Sequence, residues 1–204
     1  AAPGDSYSEA GTSIQGQAVT GTDFYYNNVR NSGVAGINNT YARSGNGSVY
    51  LQIVNGPGGA SSKADFEMLA SGTAVGGNYY AAASYGTLGE LTSLGYDWYR
   101  DGDITNTANA NLHPALRILV DADGDLNTID DRGGLVFEGS YNGSSTATTD
   151  TWVTEDIFAY NSGNGANLWT FGAGMPFADN GYGNNLAAWS SVDGVGTIDK
   201  DSAV

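Results

Sequence analysis

Helical periodicity is almost absent from this chain. The best run, YYAAASYGTLGELTSLG at 79–95, is interrupted by Gly86, Gly89 and Gly95. Each glycine costs about 1 kcal/mol against alanine inside a helix, so at most a short turn is expected there. Glycine supplies 31 of the 204 residues, roughly twice ordinary usage. Lysine and glutamate, which populate surface helices, are scarce, whereas Asn, Ser, Thr and Tyr are abundant. The chain must be built from turns and short strands.

Strand signals are frequent. GSVYLQIVN (47–55) alternates, with Val49, Leu51 and Ile53 on one face. ADFEML (64–69) follows the turn cluster GPGGASS. SLGYDWYR (93–100) sets Leu94, Tyr96 and Trp98 against Asp97 and Tyr99. ALRILVD (115–121) sets Leu116, Ile118 and Val120 against Arg117 and Leu119. GLVFEG (134–139), DTWVTEDI (150–157) and NLWTFG (167–172) continue the series. Short strands without intervening helices predict an all-β fold, an antiparallel β-sandwich or jelly roll.

The two ends differ from the middle. Residues 1–40 and 180–204 are weakly amphipathic and read as extended N- and C-terminal arms: edge strands, tails, or strands donated to another copy. No Pro-rich or Gly/Ser linker divides the chain, so a single domain over 1–204 is expected. A chain of this length buries roughly 70% of its unfolded surface. It needs no disulfides, and it has no cysteine.

Acidic residues number 22 and basic ones 7, a net charge of −15. Phosphate backbones and anionic lipid would be repelled by such a surface, so no nucleic acid partner is expected. No apolar run approaches the ~20 residues that span a bilayer, so no membrane insertion by a helix is expected. Cations would be attracted. The opening AAPGDS fits the new end left by signal peptidase, which predicts a secreted, extracellular or cell-surface protein.

The densest chemistry lies in LRILVDADGDLNTIDDRGGLVFE at 116–138. Asp121, Asp123 and Asp125 stand at alternate positions, where carboxylates of a tight loop can share one calcium ion (Ca2+). Asn127 and the backbone offer further oxygens, and Asp130 or Asp131 could close the shell. This is no EF-hand: glycine is fourth rather than sixth, Arg132 is twelfth, and no helices flank it. A second acidic turn, YRDGDITNTAN at 99–109, holds Asp101 and Asp103. It reads as a plain Asp-Gly turn or as a contributor to a shared metal.

Catalytic constellations are missing. His113 is the only histidine, it precedes Pro114, and no Gly-x-Ser-x-Gly elbow accompanies it. It reads as a capping or packing residue. With no cysteine and one histidine, the usual zinc sites are excluded. Glu138 and Asp97 lie in strands and could form a carboxylate pair. Glu138 can equally pair with Arg117 or Arg100 on an outer face. No enzyme activity is expected. Trp98, Trp152 and Trp169 lie in strand patterns and read as core. Trp189 and Tyr182 sit among Gly and Asn and read as a ligand or interface surface, for a sugar ring or for another protein.

The stretch from Gly86 to Phe171, with GTLGELTSLGYDWYRDG, NLHPALRILVDADGD, GGLVFEGSYNG, TDTWVTEDI and LWTF, resembles an uncharacterised β-sandwich domain of exported bacterial proteins. Many of those carry sorting tags of the PEP-CTERM type; the segment DKDSAV (199–204) does not match that tag. The resemblance implies secretion and a sandwich fold, and no catalytic residues. The expected function is a calcium-stabilised structural subunit that self-assembles with copies of itself into an extracellular fibre, tube or matrix, with β-strand exchange as the route. The alternative is a carbohydrate-binding or adhesion module that recognises extracellular polysaccharide.

Overall fold

The structure is a computed structural model that describes residues 6–8, 15–53, 61–75, 78–102, 112–143, 147–158, 168–172, 186–191 and 201–204. It is all-β, with antiparallel pairing throughout its ladders. The one α-helical turn among the described residues, α1, spans Leu186–Trp189. The sequence predicts one domain over 1–204, whereas the chain falls into two compact units, Ala1–Ser84 and Tyr85–Val204. The physical reason is that the buried apolar residues gather into two separate clusters.

In the first unit, β1 (Ser6–Ser8), β4 (Val34–Asn38) and β5 (Ser48–Gln52) form one sheet in the order β1-β4-β5. A second sheet runs β2-β3-β6, from β2 (Gln17–Ala18), β3 (Phe24–Arg30) and β6 (Lys63–Met68). A hairpin joins β7 (Gly72–Val75) to β8 (Asn78–Ala81). Val19, Tyr26 and Val29 meet Ala35 and Ile37 in a buried cluster that draws on both three-stranded sheets. Phe66 stacks on Phe24 with ring centres 4.9 Å apart. Residues 24–38, part of the expected N-terminal arm, are thus core strands of their own unit. Their pattern is hidden by Asn27, which is 4% exposed. Its side-chain oxygen accepts from Gly16 N at 3.1 Å, and its amide donates to Glu67 at 2.6 Å.

In the second unit, β10 (Leu116–Asp121), β11 (Arg132–Phe137) and β13 (Leu168–Phe171) form a sheet in the order β10-β11-β13. A separate pair joins β9 (Gly95–Tyr99) to β12 (Trp152–Asp156). The expected faces hold in β10: Ile118 and Val120 are buried, Arg117 and Leu119 exposed. Leu88, Ile118, Val120, Leu135, Phe137, Ile157, Leu168, Leu186 and Trp189 make up the cluster. Each large side chain here is worth about 1.5–3 kcal/mol on burial. Gly134 is required in β11, because a Cβ there would lie 2.4 Å from Ile118 O and 2.7 Å from the Phe171 ring. Residues 79–95 form no helix beyond a single 3-10 turn at Leu88–Glu90.

The far end of the chain is also built in. Tyr85 N donates to Val204 O, Leu88 N to Ser202 O and Val204 N to Gly86 O, at 2.8–3.0 Å. Ala203 bridges both Thr87 and Asp121. Ser202 is fully buried, and its hydroxyl donates to Ala122 O at 3.3 Å. In the expected C-terminal arm, residues 186–189 and 201–204 pack within their own unit.

Candidate metal centre

β10 and β11 are antiparallel neighbours whose register closes at Asp121↔Arg132. Ten residues connect them, and Gly124 takes a left-handed φ of +75° with open space around it. This closure brings Asp121, Asp123 and Asp131 together. Each can offer one oxygen such that all three lie within 4.8 Å of one another. Asp123 N donates to Asp131 Oδ2 at 2.7 Å, which pulls the two ends of the loop inward.

Asp121 is 3% exposed. Its Oδ2 accepts from Arg132 Nε at 3.2 Å. Its Oδ1 is buried without a hydrogen-bond partner, as is Asp131 Oδ1. A buried, unsatisfied carboxylate oxygen is costly. Burial, and next the Asp131 charge, hold the Asp121 carboxyl above its usual range, while Arg132 pulls it back. Two carboxylates ~4 Å apart repel by roughly 4 kcal/mol where the effective dielectric is near 20. Arg132 offsets only part of this, since burial and the Asp131 charge together outweigh it at Asp121, and its Nη2 donates to Leu126 O at 2.6 Å.

The donor set is all oxygen and anionic, which selects a hard cation. Oxygens bound to one calcium at about 2.3–2.6 Å lie no more than about 5 Å apart, and the trio meets that limit. The trio could therefore hold a hard cation, Asp121, Asp123 and Asp131 each offering one carboxylate oxygen.

The other expected ligands stand apart. Asp125 Oδ1 accepts from Asn127 N at 3.1 Å and from its side-chain amide at 2.7 Å, which holds the Asp125 carboxyl below its usual value. These two residues order the loop's tip outside the trio. Asp130 is exposed and outside it as well. Asp101 does not join it among the described residues, and Asp103 lies outside the described residues. Residue spacing identifies Asp121 and Asp123. Only the hairpin register selects Asp131 over Asp130.

The other candidates resolve as packing. Trp189, expected on the surface, is 8% exposed and belongs to the core cluster. Its Gly- and Asn-rich setting carries no information about the core that α1 docks against. Tyr182 lies outside the described residues. Trp98 is buried, whereas Trp152 and Trp169 are only half-buried. His113 stacks on Trp98, with ring centres 4.5 Å apart and planes 6° from parallel, and its Nδ1 lies 3.0 Å from Pro114 O. Tyr96 donates to the same carbonyl at 2.7 Å. Burial, then the Glu155 charge, push its hydroxyl far above the usual value. Trp98 Nε1 donates to Glu155 at 3.2 Å. Glu138 lines a shallow recess with Leu112 and His113, while Asp97 accepts from Thr154. Glu138 stands just past the end of β11 and Asp97 lies in β9, on different sheets.

Comparison with protein-family models, with curated proteins and with solved structures found no match.

Proposed function

We propose that this chain is a secreted, non-enzymatic structural subunit, stabilised by calcium, that assembles with copies of itself outside the cell. In this reading the sheets of its units belong to the antiparallel sandwich or jelly-roll class. The observation that carries it is Asp121 Oδ1: a buried carboxylate oxygen, without a partner, in a trio of converging aspartates. A cation there would satisfy that oxygen and cancel the repulsion within the loop. Its role would be to order a connection between two core strands, because the trio sits at a hairpin closure. The −15 net charge supports an environment rich in cations.

The test is a thermal melt with calcium and then with chelator, together with electron microscopy of both samples. Calcium should raise the midpoint, and Asp123→Ala should abolish that rise, by about 2–4 °C for each kcal/mol of metal stabilisation lost. Ordered filaments or tubes should form with calcium. A midpoint indifferent to chelator would remove the calcium site, and dispersed monomers in both samples would remove the assembly.

A further inference from the structure

Two Asn-Gly steps, Asn46-Gly47 and Asn142-Gly143, lie among the described residues. Both continue into serine, so the tripeptide Asn-Gly-Ser is the same at each. Asparagine before glycine is chemically labile. The glycine nitrogen can attack the asparagine side-chain carbonyl, because no Cβ obstructs the approach and the glycine backbone turns easily. With the local sequence equal, the fold decides how far the two sites differ.

At Asn142 the fold holds the side chain. Its carboxamide donates to Glu138 O at 2.9 Å. Its backbone N–H donates to Gly139 O at 2.9 Å, which closes the 3-10 turn Gly139–Tyr141. The residue is half-buried. To bring its Cγ over Gly143 N, the carboxamide must leave Glu138 O, so attack there waits on a local opening.

At Asn46 no such hold exists. The residue is exposed, in the connection between β4 and β5. Among the described residues its carboxamide has no hydrogen-bond partner. Glycine flanks it on both sides, and Gly45 has a left-handed φ of +68° with open space around it.

We infer that Asn46 is a site of spontaneous deamidation through a cyclic imide with Gly47. Gly47 N bonds to Asn46 Cγ and the Cγ–Nδ2 bond breaks. The Gly47 amide proton passes through solvent to the departing nitrogen, which leaves as ammonia. Water then opens the imide at either carbonyl, giving aspartate or isoaspartate. One water is consumed for each ammonia released, and no oxidant or reductant takes part. Either product adds a carboxylate to a chain already at −15. Isoaspartate also routes the main chain through its β-carbon, one bond longer. That extra bond falls just before Ser48, which pairs with Asn38 to begin β5 and donates its hydroxyl to Tyr41 O at 2.9 Å.

The experiment incubates the full chain in mildly alkaline buffer, folded and unfolded in urea, and follows both sites by tryptic peptide mapping. Cleavage after Arg43 and Lys63 isolates Asn46, and cleavage after Arg132 and Lys200 isolates Asn142. Fragment ions separate Asn46 from Asn55 in the first peptide. In the folded chain Asn46 should convert at least tenfold faster than Asn142, with isoaspartate beside aspartate. In urea the two rates should meet. Gly47→Ala, which places a Cβ beside the attacking nitrogen, should slow conversion at Asn46 and leave Asn142 unchanged. The folded-against-urea comparison needs only the unaltered protein, so it decides the matter if Gly47→Ala does not fold. An Asn46 that stays intact in the folded chain, or converts no faster than Asn142, would overturn the inference. A rate difference that survives in urea would assign it to sequence beyond the tripeptide and overturn the role of the fold. Conversion to aspartate alone, without isoaspartate, would overturn the imide.

Discussion

Asp121 exchanges both of its backbone hydrogen bonds with Ala203: Asp121 N to Ala203 O and Ala203 N to Asp121 O, each 2.9 Å. The same residue contributes the buried carboxylate of the acidic trio. An ion that ordered that carboxylate would therefore act directly beside the bridges that Ala203 makes to Asp121 and Thr87. Leu88 N, bonded to Ser202 O, is the far side of this connection.

Calcium should therefore be felt at Ala203 and Leu88. Hydrogen exchange followed by mass spectrometry should show faster exchange at these amides on chelation, because local opening depends on the stability of the unit that opens. Amides of β3 and β6 should be unaffected. Uniform acceleration over both units would mean that the metal acts on global stability alone.

The pH dependence should change sign with the metal. The folded-state pKa of Asp121 is raised, above an unfolded value near 3.9. Without metal, the folded state then binds this proton more tightly than the unfolded state. Stability rises as pH falls through the raised value and levels off below the unfolded one. With calcium, protonation competes with the ion, so stability falls over the same window. Asp125, whose pKa is lowered, opposes the metal-free trend, but it is exposed and its share is small. Urea midpoints from pH 7 downward, with and without calcium, should give slopes of opposite sign. Parallel slopes would exclude Asp121 as a ligand.

Gly139 should prove intolerant of a methyl group. A Cβ there would lie 2.0 Å from His113 Nε2, and the imidazole cannot retreat because it is stacked on Trp98. Gly139→Ala should cost about 1–3 kcal/mol through overpacking. Gly143 has open space but a φ of +87°, so Gly143→Ala should cost about 1 kcal/mol through backbone strain alone. Chemical denaturation of both variants tests the ranking, and equal costs would mean that the His113–Trp98 stack yields freely.

In the second unit β10 was legible in the sequence because it alternates, and the sides of Ile118, Val120 and Arg117 follow directly, whereas β11 is buried on both faces from Gly133 to Phe137. The first unit was obscured at β3. There Asn27 is buried, Asn28 has a left-handed φ of +50°, and the register with β6 shifts between Asn27 and Arg30. A polar core residue and a bulge together erase the two-residue period. Trp189 was misread because its neighbours are turn formers, while its burial is decided by residues distant in sequence such as Leu88 and Ile118. The loop shows the same division. The spacing of Asp121 and Asp123 is local, but the choice of Asp131 depends on where two strands stop pairing.

The grip on Arg132 gives the molecule a proteolytic gauge. Its side chain is only 11% exposed, held by Asp121 and by Leu126 O, and the bond that follows it enters β11. Trypsin needs an extended, accessible Arg, so it can cut here only when the hairpin closure opens. The next Lys or Arg after Arg132 is Lys200. A nick at this position would release one long, easily recognised fragment, and its rate would count the openings of the acidic loop directly.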